Sequence, residues 1–569
     1  MPAYQIASLI HEGFDTFYKE FMRLTRGARR HFDAGDWLRL QEDQRKRIDL
    51  YQRFVGRTLS SLAPLTSRHP GDLALWTKAH VHYADMVAPR VDVEVAETFF
   101  NAITRKTFNT VGVNPQIEFL DNDLERHEKH LSPGLFRSFL WNDDLAAVLR
   151  DVLRFPRPAV RWRDLEGDVA WLCGRIVAGC PLLRHGGRPD RVDVVKTVFF
   201  RPKEGYIVAR VVRGSEVTPL LIPLRSSHEG MMVDGALLTE AEVMPVFSAT
   251  RSYMFVDVHK PAALVDFLGS FLPALSRSEL YVAIAHHRHG KSLIYRELVE
   301  HLASSQDPFI VAPGIRGLVM TVFTSPTYRN VFKLIRDRPE KTGMTREHVL
   351  QSYRDVFRGQ RVGRLADTQE FEFLAFERAR FDDECLQELL QKAPSLVKVE
   401  GDRVVIEHLY IEEKMTPLDI YLASAELPDA QQAIIDYGTA IKELAAHNIF
   451  AGDLLWKNFG VNRFGRLVCY DYDEIRPLLD CNFRKVPKAQ SWEDEMSAQP
   501  YYSVRENDVF PEEWAPFVAP RRPPALREAF LDAHADMFTA QWWQGVQQDV
   551  LAGRVRVNLP YRRRERDPS

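Results

Sequence analysis

Apolar residues recur at intervals of three and four along the first part of the chain. This spacing predicts amphipathic helices over 4–25, 36–63 and 71–88. Between 105 and 135 the sequence is more polar and less regular. We therefore expect residues 1–155 to be dominated by helices.

The pattern changes to continuous apolar runs after Val192. Runs at 194–200 and 206–212 are separated by Pro-Lys-Glu-Gly at 202–205, which predicts an antiparallel meander that extends to about residue 258. Helical periodicity resumes near residue 261. The three segments together form a predicted first domain over 1–308.

A third pattern begins near residue 309 and predicts a second domain over 309–569. Apolar strands are predicted at 331–335 and 403–411, and the second is followed by a polar break, a short helix and a helix over 429–447. A strand, a linker and a helix in this order suit a hinge between two lobes. The expected fold class is α+β, with two lobes in the second domain.

A short hairpin follows the helix over 429–447. Apolar runs at 459–461 and 467–470 flank an Asn-Arg-Phe-Gly turn at 462–465. Asp453, Asn458 and Asp471 surround this hairpin, five and thirteen residues apart.

That spacing is typical of the catalytic loop and metal-binding Asp of protein kinases. Phosphoryl transfer needs groups that position the phosphate and neutralise its charge. Asp453 would orient an incoming hydroxyl, while Asn458 and Asp471 would bind Mg²⁺ through oxygen atoms. The alternative is an Asp that caps a helix, followed by an ordinary hairpin.

Further parts of a nucleotide site are predicted upstream. Gly314 and Gly317 lie between β-rich segments, where glycines let backbone N–H groups approach phosphate oxygens. Lys333 lies in the apolar strand 331–335, as the phosphate-pairing lysine of kinases does. An exposed lysine on an edge strand is the alternative interpretation.

The catalytic loop departs from the usual kinase pattern at several positions. Ala451 and Gly452 replace the His-Arg pair that often precedes the catalytic Asp, and Asp473 stands where a glycine usually follows the metal-binding Asp. A second acid there could orient water for hydrolysis. A kinase-shaped protein that senses nucleotide without catalysis is therefore an alternative interpretation.

Five segments of the chain resemble one family specifically. They read AGDLLWKNFG, APGIRG, VFKLIRDRPEKTG, GRLADT and, near the amino terminus, IHEGFDTFYKEF. The chain is similar to the bifunctional isocitrate dehydrogenase kinase/phosphatases of bacteria from about residue 5 to about residue 560. The resemblance implies a bilobal protein-kinase-like domain that follows a regulatory domain.

The same resemblance implies a function and its partners. Members phosphorylate a serine of isocitrate dehydrogenase, which directs carbon into the glyoxylate bypass, and also remove the phosphate. ATP and Mg²⁺ are the implied cofactors, with Mn²⁺ as an alternative metal, and AMP is an implied regulator. The resemblance leaves a homodimer open.

Site residues follow from the resemblance position by position. Asp367 in GRLADT and the pair Asp453 and Asp473 match catalytic positions, with Asp473 tied to phosphatase activity. Asn458 and Asp471 match metal positions. The nucleotide-binding positions are Ala312, Pro313, Gly314, Ile315, Arg316, Gly317, Leu318 and Lys333.

A second candidate nucleotide site ends in Gly-Lys-Ser at 290–292. The run 280–284 before it is a predicted strand and a predicted helix follows, which is the context of a P-loop containing Lys291. However, 286–289 reads His-His-Arg-His, which is bulky where a P-loop is small. We favour a basic helix N-terminus that binds an anion, and a P-loop ATPase is the alternative.

Composition narrows the class of protein. The 569 residues suggest about two to four domains. The net charge of −3 offers no general basic surface for nucleic acid or membranes. Five cysteines without a C-x-x-C pair, no signal peptide and no run of eighteen apolar residues indicate a cytoplasmic protein.

Overall fold

The computed structural model describes residues 2–120, 134–156, 160–248, 253–358, 363–487, 502–554, 559, 561, 563 and 564. The chain divides into two compact units, Met1–Ser304 with Leu559–Ser569, and Ser305–Asn558. Helices and mainly antiparallel sheets occur in both, so the predicted α+β class is confirmed. None of the helices in the described ranges combines the length and apolar character that a membrane span needs.

The first unit begins with long helices. Its helices are α1 (Pro2–Asp33), α2 (Trp37–Thr66), α3 (Leu73–Val87), α4 (Val93–Phe108), α5 (Leu145–Arg154), α6 (Leu165–Gly179), α7 (Glu240–Phe247), α8 (Pro261–Gly269), α9 (Arg277–Ala283) and α10 (His287–Ser304).

The three helices predicted from periodicity are confirmed as α1, α2 and α3. The apolar stripe of α1 is buried, with Ile6, Ile10 and Phe14 fully inaccessible to solvent. Asp36 and Asp72 cap α2 and α3 by accepting backbone N–H bonds, which satisfies donors that a helix start leaves free. Residues 121–133, within the predicted irregular region, lie outside the described residues.

A sheet forms the second layer of this unit. Its strands are β1 (Phe136–Leu140), β2 (Arg191–Val195), β3 (Phe199–Arg201), β4 (Glu204–Arg213), β5 (Glu216–Ser227) and β6 (Gly230–Val233). The strand order is β1-β2-β4-β5-β6, with β3 paired to β4, and every pair is antiparallel.

The sheet differs from the predicted meander in three respects. Strand β1 comes from the region predicted to be helical, and the run 194–200 is broken between β2 and β3. The last strand ends at Val233, not near 258, because Thr239 and Glu242 form a capping box that starts α7. A further helix, α8, begins at Pro261, where helical periodicity was predicted to resume.

The second unit begins with another sheet. Its strands are β7 (Ile310–Val311), β8 (Met320–Thr324), β9 (Asn330–Ile335), β10 (Gln369–Glu377), β11 (Val397–Glu400) and β12 (Arg403–Glu413). The order is β10-β12-β9-β8-β7, with β11 paired to β12. The strands predicted at 331–335 and 403–411 are confirmed as β9 and β12, which pair with Tyr410 opposite Lys333.

Short strands and helices complete this unit. The remaining strands are β13 (Thr416–Pro417), β14 (Ile449–Phe450), β15 (Phe459–Val461), β16 (Leu467–Cys469), β17 (Arg476–Pro477), β18 (Asn482–Phe483) and β19 (Asp508–Val509). The helices are α11 (Arg346–Arg358), α12 (Asp383–Lys392), α13 (Leu418–Ser424), α14 (Leu427–Ala446), α15 (Ala515–Val518), α16 (Pro524–His534) and α17 (Ala540–Leu551).

The helix predicted over 429–447 is α14, and it anchors the second lobe. Ile434, Tyr437 and Leu444 on its apolar face are buried. Tyr437 also donates a hydrogen bond to the carbonyl of Leu454, which fixes the loop that follows Asp453. The core of this lobe therefore supports the candidate catalytic loop directly.

Candidate functional site

A cleft in the second unit collects most of the predicted nucleotide residues. Its walls come from the loop between β7 and β8, from β9, from the end of β12 and from the linker that follows. The lining includes Ala312, Pro313, Gly314, Ile315, Arg316, Gly317, Lys333, Glu412, Met415, Asp419, Lys457 and Tyr470.

The glycine loop joins two paired strands, as predicted. Gly314 has φ of +120°, a conformation that only glycine adopts without strain. A Cβ at Gly317 would lie 3.4 Å from the carbonyl oxygen of Met320, an ordinary van der Waals contact, so this position does not require glycine as Gly314 does. Leu318 was predicted to bind nucleotide, but it is 46% exposed and does not line the cleft.

Arg316 in this loop is held by α12. Its guanidinium pairs with Glu384 and lies 2.6 Å from the carboxylate of Glu388. Glu388 also accepts a hydrogen bond of 2.6 Å from the Thr321 hydroxyl. The glycine loop is thus tethered to a neighbouring helix by charged side chains.

Lys333 is buried and faces the hairpin that carries Asp471. Its Nζ donates a hydrogen bond of 2.8 Å to the carbonyl oxygen of Tyr470, the residue before Asp471. The same ammonium lies 4.9 Å from the centre of the Tyr470 ring. Lys333 therefore lies next to the predicted metal-binding residue, and the edge-strand alternative is wrong since β9 has partners on both sides.

The acid that pairs with Lys333 was not predicted from the sequence. Glu412 Oε2 lies 2.5 Å from Lys333 Nζ, and the two side chains are 1% and 7% exposed. Glu412 also accepts a hydrogen bond of 2.6 Å from Thr368. Glu347, considered as a counterpart of the helix-borne kinase glutamate, is exposed to solvent.

The hairpin predicted around Asp453, Asn458 and Asp471 is confirmed as β15 and β16. Asn458 is buried at the end of a short 3₁₀ turn, and its amide donates to the Asp453 carbonyl at 3.3 Å. The Asp453 carboxylate accepts the backbone N–H of Leu455 at 3.1 Å. These bonds brace the loop from Asp453 to Asn458.

Two further bonds join this loop to the end of the hairpin that carries Asp471, the predicted metal ligand. The backbone N–H of Tyr470 donates to the Asn458 carbonyl at 3.1 Å, and the Tyr470 hydroxyl donates to the Lys457 carbonyl. Asn458 and Asp471 are therefore held on neighbouring backbone segments.

The carboxyl groups of Asp471 and Asp473 share a hydrogen bond. Burial first, and then the charge of Asp471 and a hydrogen bond between the two carboxyls, raise the pKa of Asp473 to about 8. Oδ1 of Asp473 is buried and has no hydrogen-bond partner among the described residues. Two adjacent acids with an unpartnered oxygen suit a divalent cation, which would favour their ionised forms.

The residues present fit Mg²⁺ in the way that phosphoryl-transfer enzymes bind it. Within the described ranges, no group of three or more His, Cys, Asp or Glu side chains is arranged as a metal site. Mg²⁺ needs no such group, since one or two carboxylates, water and substrate phosphates satisfy it. Asp471 and Asn458 would hold the ion, and Asp473 lies beside them.

The backbone before Asp367 pairs with the strand that precedes Asp471, and the sequence alone does not predict this pairing. Leu365 forms a parallel bridge with Cys469, and the Ala366 N–H donates to the Cys469 carbonyl at 3.0 Å. Asp367 lies two residues after Leu365, and Asp471 lies two residues after Cys469. Because the bridge is parallel, both acids lie at the same end of the paired segments. The Tyr472 hydroxyl donates to the Ala366 carbonyl at 2.7 Å and reinforces the contact.

A second lysine near the acids also went unpredicted. Lys341 lies 2.7 Å from Glu474, the residue after Asp473. Burial lowers the pKa of Lys341, but its hydrogen bond to Glu474 and the charges of Glu474, Asp473 and Asp471 outweigh burial and raise it overall. The acidic cluster thus has two cationic neighbours, Lys333 and Lys341.

Comparison with known proteins identifies the family. The kinase domain of isocitrate dehydrogenase kinase/phosphatase (AceK) matches residues 307–563, and the regulatory domain of the same proteins matches residues 7–306. The chain belongs to the isocitrate dehydrogenase kinase/phosphatase family.

Curated members of the isocitrate dehydrogenase kinase/phosphatase family match nearly the whole chain. A relative of that name from Anaeromyxobacter sp. (strain Fw109-5) is 39% identical over 563 residues, covering 98% of this chain and 97% of the relative. Another from Anaeromyxobacter dehalogenans (strain 2CP-C) is 40% identical over 580 residues, with the same coverage.

The Gly-Lys-Ser segment does not have the fold of a P-loop in this family member. The run 280–284, predicted to be a strand, belongs mostly to the helix α9, which begins at a capping box between Ser276 and Glu279. His286 and His289 are buried, and burial lowers the pKa of His286 to about 4. Burial also lowers the pKa of His289, so both histidines are neutral and neither adds positive charge at the predicted anion site.

Proposed function

We propose that the protein transfers phosphate from ATP to a serine of isocitrate dehydrogenase, and that it also removes this phosphate. Family membership supports the substrate and both activities. The observation that carries the chemistry is the bond from Lys333 to the Tyr470 carbonyl. It joins the glycine-loop sheet and the hairpin with Asp471 into one cleft.

In the kinase direction, the chain supplies positioning and charge. Lys333 holds the nucleotide phosphates, while Asp453 orients the serine hydroxyl and receives its proton as the oxygen attacks the γ-phosphorus and ADP leaves. Bound Mg²⁺ neutralises charge on the phosphate oxygens. Asp471 and Asn458 supply the ligands for that ion.

In the phosphatase direction, the nucleophile is water. Asp473 stands where ordinary kinases have a glycine, and it orients the water and takes its proton. As the bond from phosphorus to the serine oxygen breaks, Asp453 gives a proton to that oxygen and inorganic phosphate leaves. Lys341, paired with Glu474 beside Asp473, adds positive charge on the side of the acids. One cleft thereby serves both reactions.

A catalytically inactive nucleotide sensor is the alternative function. Asp453 and Asn458 share one loop, which is bonded to Tyr470 beside Asp471, and Lys333 bonds to the same Tyr470. This arrangement argues against a sensor, because a sensor needs no group that accepts the hydroxyl proton. The evidence for a P-loop ATPase at Lys291 was the strand predicted before the loop. That segment belongs mostly to the helix α9, so the structure does not favour this alternative.

The cofactors and setting are part of the same proposal. We assign ATP and Mg²⁺ to the catalytic cleft and AMP to regulation. A cytoplasmic location suits the five free cysteines, of which four are buried. A homodimer stays a prediction.

The test uses the purified full-length chain with isocitrate dehydrogenase. With γ-labelled ATP and Mg²⁺, label should appear on a serine of the dehydrogenase as its activity falls. After ATP is removed, the chain should release the label as inorganic phosphate and restore dehydrogenase activity. Nucleotide binding without label transfer would establish the sensor instead.

A further inference from the structure

A cleft of about 450 Å³ lies between α1 and α2 in the first unit. Arg23, Arg26 and Arg30 line it from α1, and Arg39 and Lys46 line it from α2. Spacings of three and four residues in α1, and of seven in α2, put each set along one face of its helix. Two rows of cations therefore face each other across the cleft.

The charge of the lining is strongly unbalanced. Five cations and one carboxylate, Asp43, line the cleft, and Asp43 lies 3.8 Å from Arg39 and 3.9 Å from Lys46. Asp43 is buried at the base and lies 3.4 Å from the His31 ring. The Asp43 side chain is 6% exposed, so the cations rather than the acid face incoming ligands.

Some of the cations have additional partners outside the lining. Arg23 pairs with Glu20, Arg26 with Asp257, and both Arg39 and Lys46 with Glu42.

The carboxylates in these outer pairs are 33–50% exposed, and such pairs are weak. A ligand anion can therefore replace them. Within the described ranges, the Arg30 side chain has no hydrogen-bond or ion-pair partner, and its guanidinium is ready for a ligand.

Gly27 provides space in the wall of the cleft. A Cβ placed there would lie 3.7 Å from His31 and 3.9 Å from Asp43, both ordinary contacts. A larger side chain would therefore be accepted by the helix while its outer atoms fill the cleft. The open volume depends on the absence of a side chain at this position.

We propose that this cleft binds a small polyanion carrying at least two phosphate or carboxylate groups. Arg23 and Arg30 are seven residues apart, about 10 Å along the helix axis, and further cations line the opposite wall, so a ligand with separated anionic groups contacts more of them than one compact group does. Guanidinium groups bind either kind of anion with two parallel hydrogen bonds. A ligand with two or more anionic groups therefore matches the two rows better than a single anion.

The experiment measures binding to the full-length chain in Mg²⁺-free buffer. A Lys333→Met background removes the phosphate-pairing lysine of the catalytic cleft. Pyrophosphate and citrate are titrated by calorimetry as the phosphate and carboxylate probes, and orthophosphate is the single-group reference. If the proposal holds, pyrophosphate and citrate both bind through the same cations. Comparing their affinities then shows whether the cleft prefers phosphate or carboxylate groups.

Gly27→Leu blocks the cleft without changing charge, and Gly56→Leu is its matched control. Gly56 lies on an exposed position of α2, and a Cβ there meets nothing within 4 Å. Both variants replace a helical glycine by leucine, so both gain helix propensity. Arg30→Gln tests the charge separately.

One binding event per chain should persist in Gly56→Leu and disappear in Gly27→Leu, with affinity at least tenfold lower in Arg30→Gln. Orthophosphate should bind at least tenfold more weakly than the preferred probe. Thermal unfolding of each variant confirms that it is folded. The proposal is overturned if neither probe binds, or if Gly27→Leu and Gly56→Leu give the same isotherms.

Discussion

Lys333 and Glu412 form a buried ion pair of 2.5 Å between two neighbouring strands of one sheet. In protein kinases, the glutamate that pairs with the corresponding lysine lies on a mobile helix. Here the acid is two residues from Tyr410, which lies opposite Lys333 in the strand register. The lysine is therefore held by the sheet itself.

We expect Glu412→Gln to lower kcat/KM for ATP at least tenfold. Glutamine keeps the size of the side chain and an acceptor for Thr368, but it removes the charge that fixes a buried ammonium. Label transfer to isocitrate dehydrogenase at several ATP concentrations measures the effect. The exposed Glu347→Gln should stay within about twofold of the parent, and equal losses in both variants would contradict the assignment.

Asp453→Asn should lower the rate of label transfer by about 10² to 10⁴, the usual contribution of a positioned proton acceptor. The affinity for ATP should change little, because Asp453 is not part of the nucleotide-binding set. Single-turnover transfer and equilibrium nucleotide binding separate the two effects. A variant that transfers label as fast as the parent shows that Asp453 has another role.

Asp473→Asn should weaken dephosphorylation more than phosphorylation. A serine hydroxyl is already positioned by Asp453, whereas water needs a group of its own to orient it. Initial rates of label uptake and label release, measured on the same preparation, give the ratio. Equal losses in both directions would assign Asp473 to metal binding alone.

Patterns among residues close in sequence were sufficient to predict much of the fold and part of the candidate site. The helices α1 to α3 and the hairpin around Asp453, Asn458 and Asp471 depend on residues close in sequence. Glu412 and Lys341 depend instead on which strands and loops come together.

The wrong prediction of a strand at 280–284 has a local cause. The run 280–284 is short and apolar, so periodicity could not distinguish a strand from a buried helix. The capping box Ser276-Arg277-Ser278-Glu279 was the missed signal for a helix start. Asp367 had no local signal at all, since its placement depends on the bridge between Leu365 and Cys469.

Glu94→Gln should make the first unit more stable above neutral pH. Burial raises the pKa of Glu94 from 4.5 to about 7, and it outweighs the hydrogen bond of 3.2 Å donated by Tyr281, which lowers that pKa. The folded state therefore favours the protonated acid, so its stabilisation is complete below the unfolded pKa and is lost as pH rises through about 7.

The loss in the parent amounts to roughly 3 kcal/mol. Glutamine does not titrate, so the thermal midpoint of the variant should fall less between pH 5 and pH 8, about the range set by the two pKa values. The exposed Glu300→Gln serves as the control and should follow the parent. Parallel curves for the parent and Glu94→Gln would show that this carboxyl stays ionised when folded.

The central claim is that the catalytic nucleotide binds in the cleft between Lys333 and Asp471. Its most direct test compares label transfer from γ-labelled ATP to isocitrate dehydrogenase by Lys333→Met and by Lys291→Ala. The account predicts that Lys333→Met loses at least 99% of the parent rate, a 10²-fold effect of the size expected for a lost electrostatic contact, while Lys291→Ala keeps most of it. Full activity of Lys333→Met together with an inactive Lys291→Ala would contradict it.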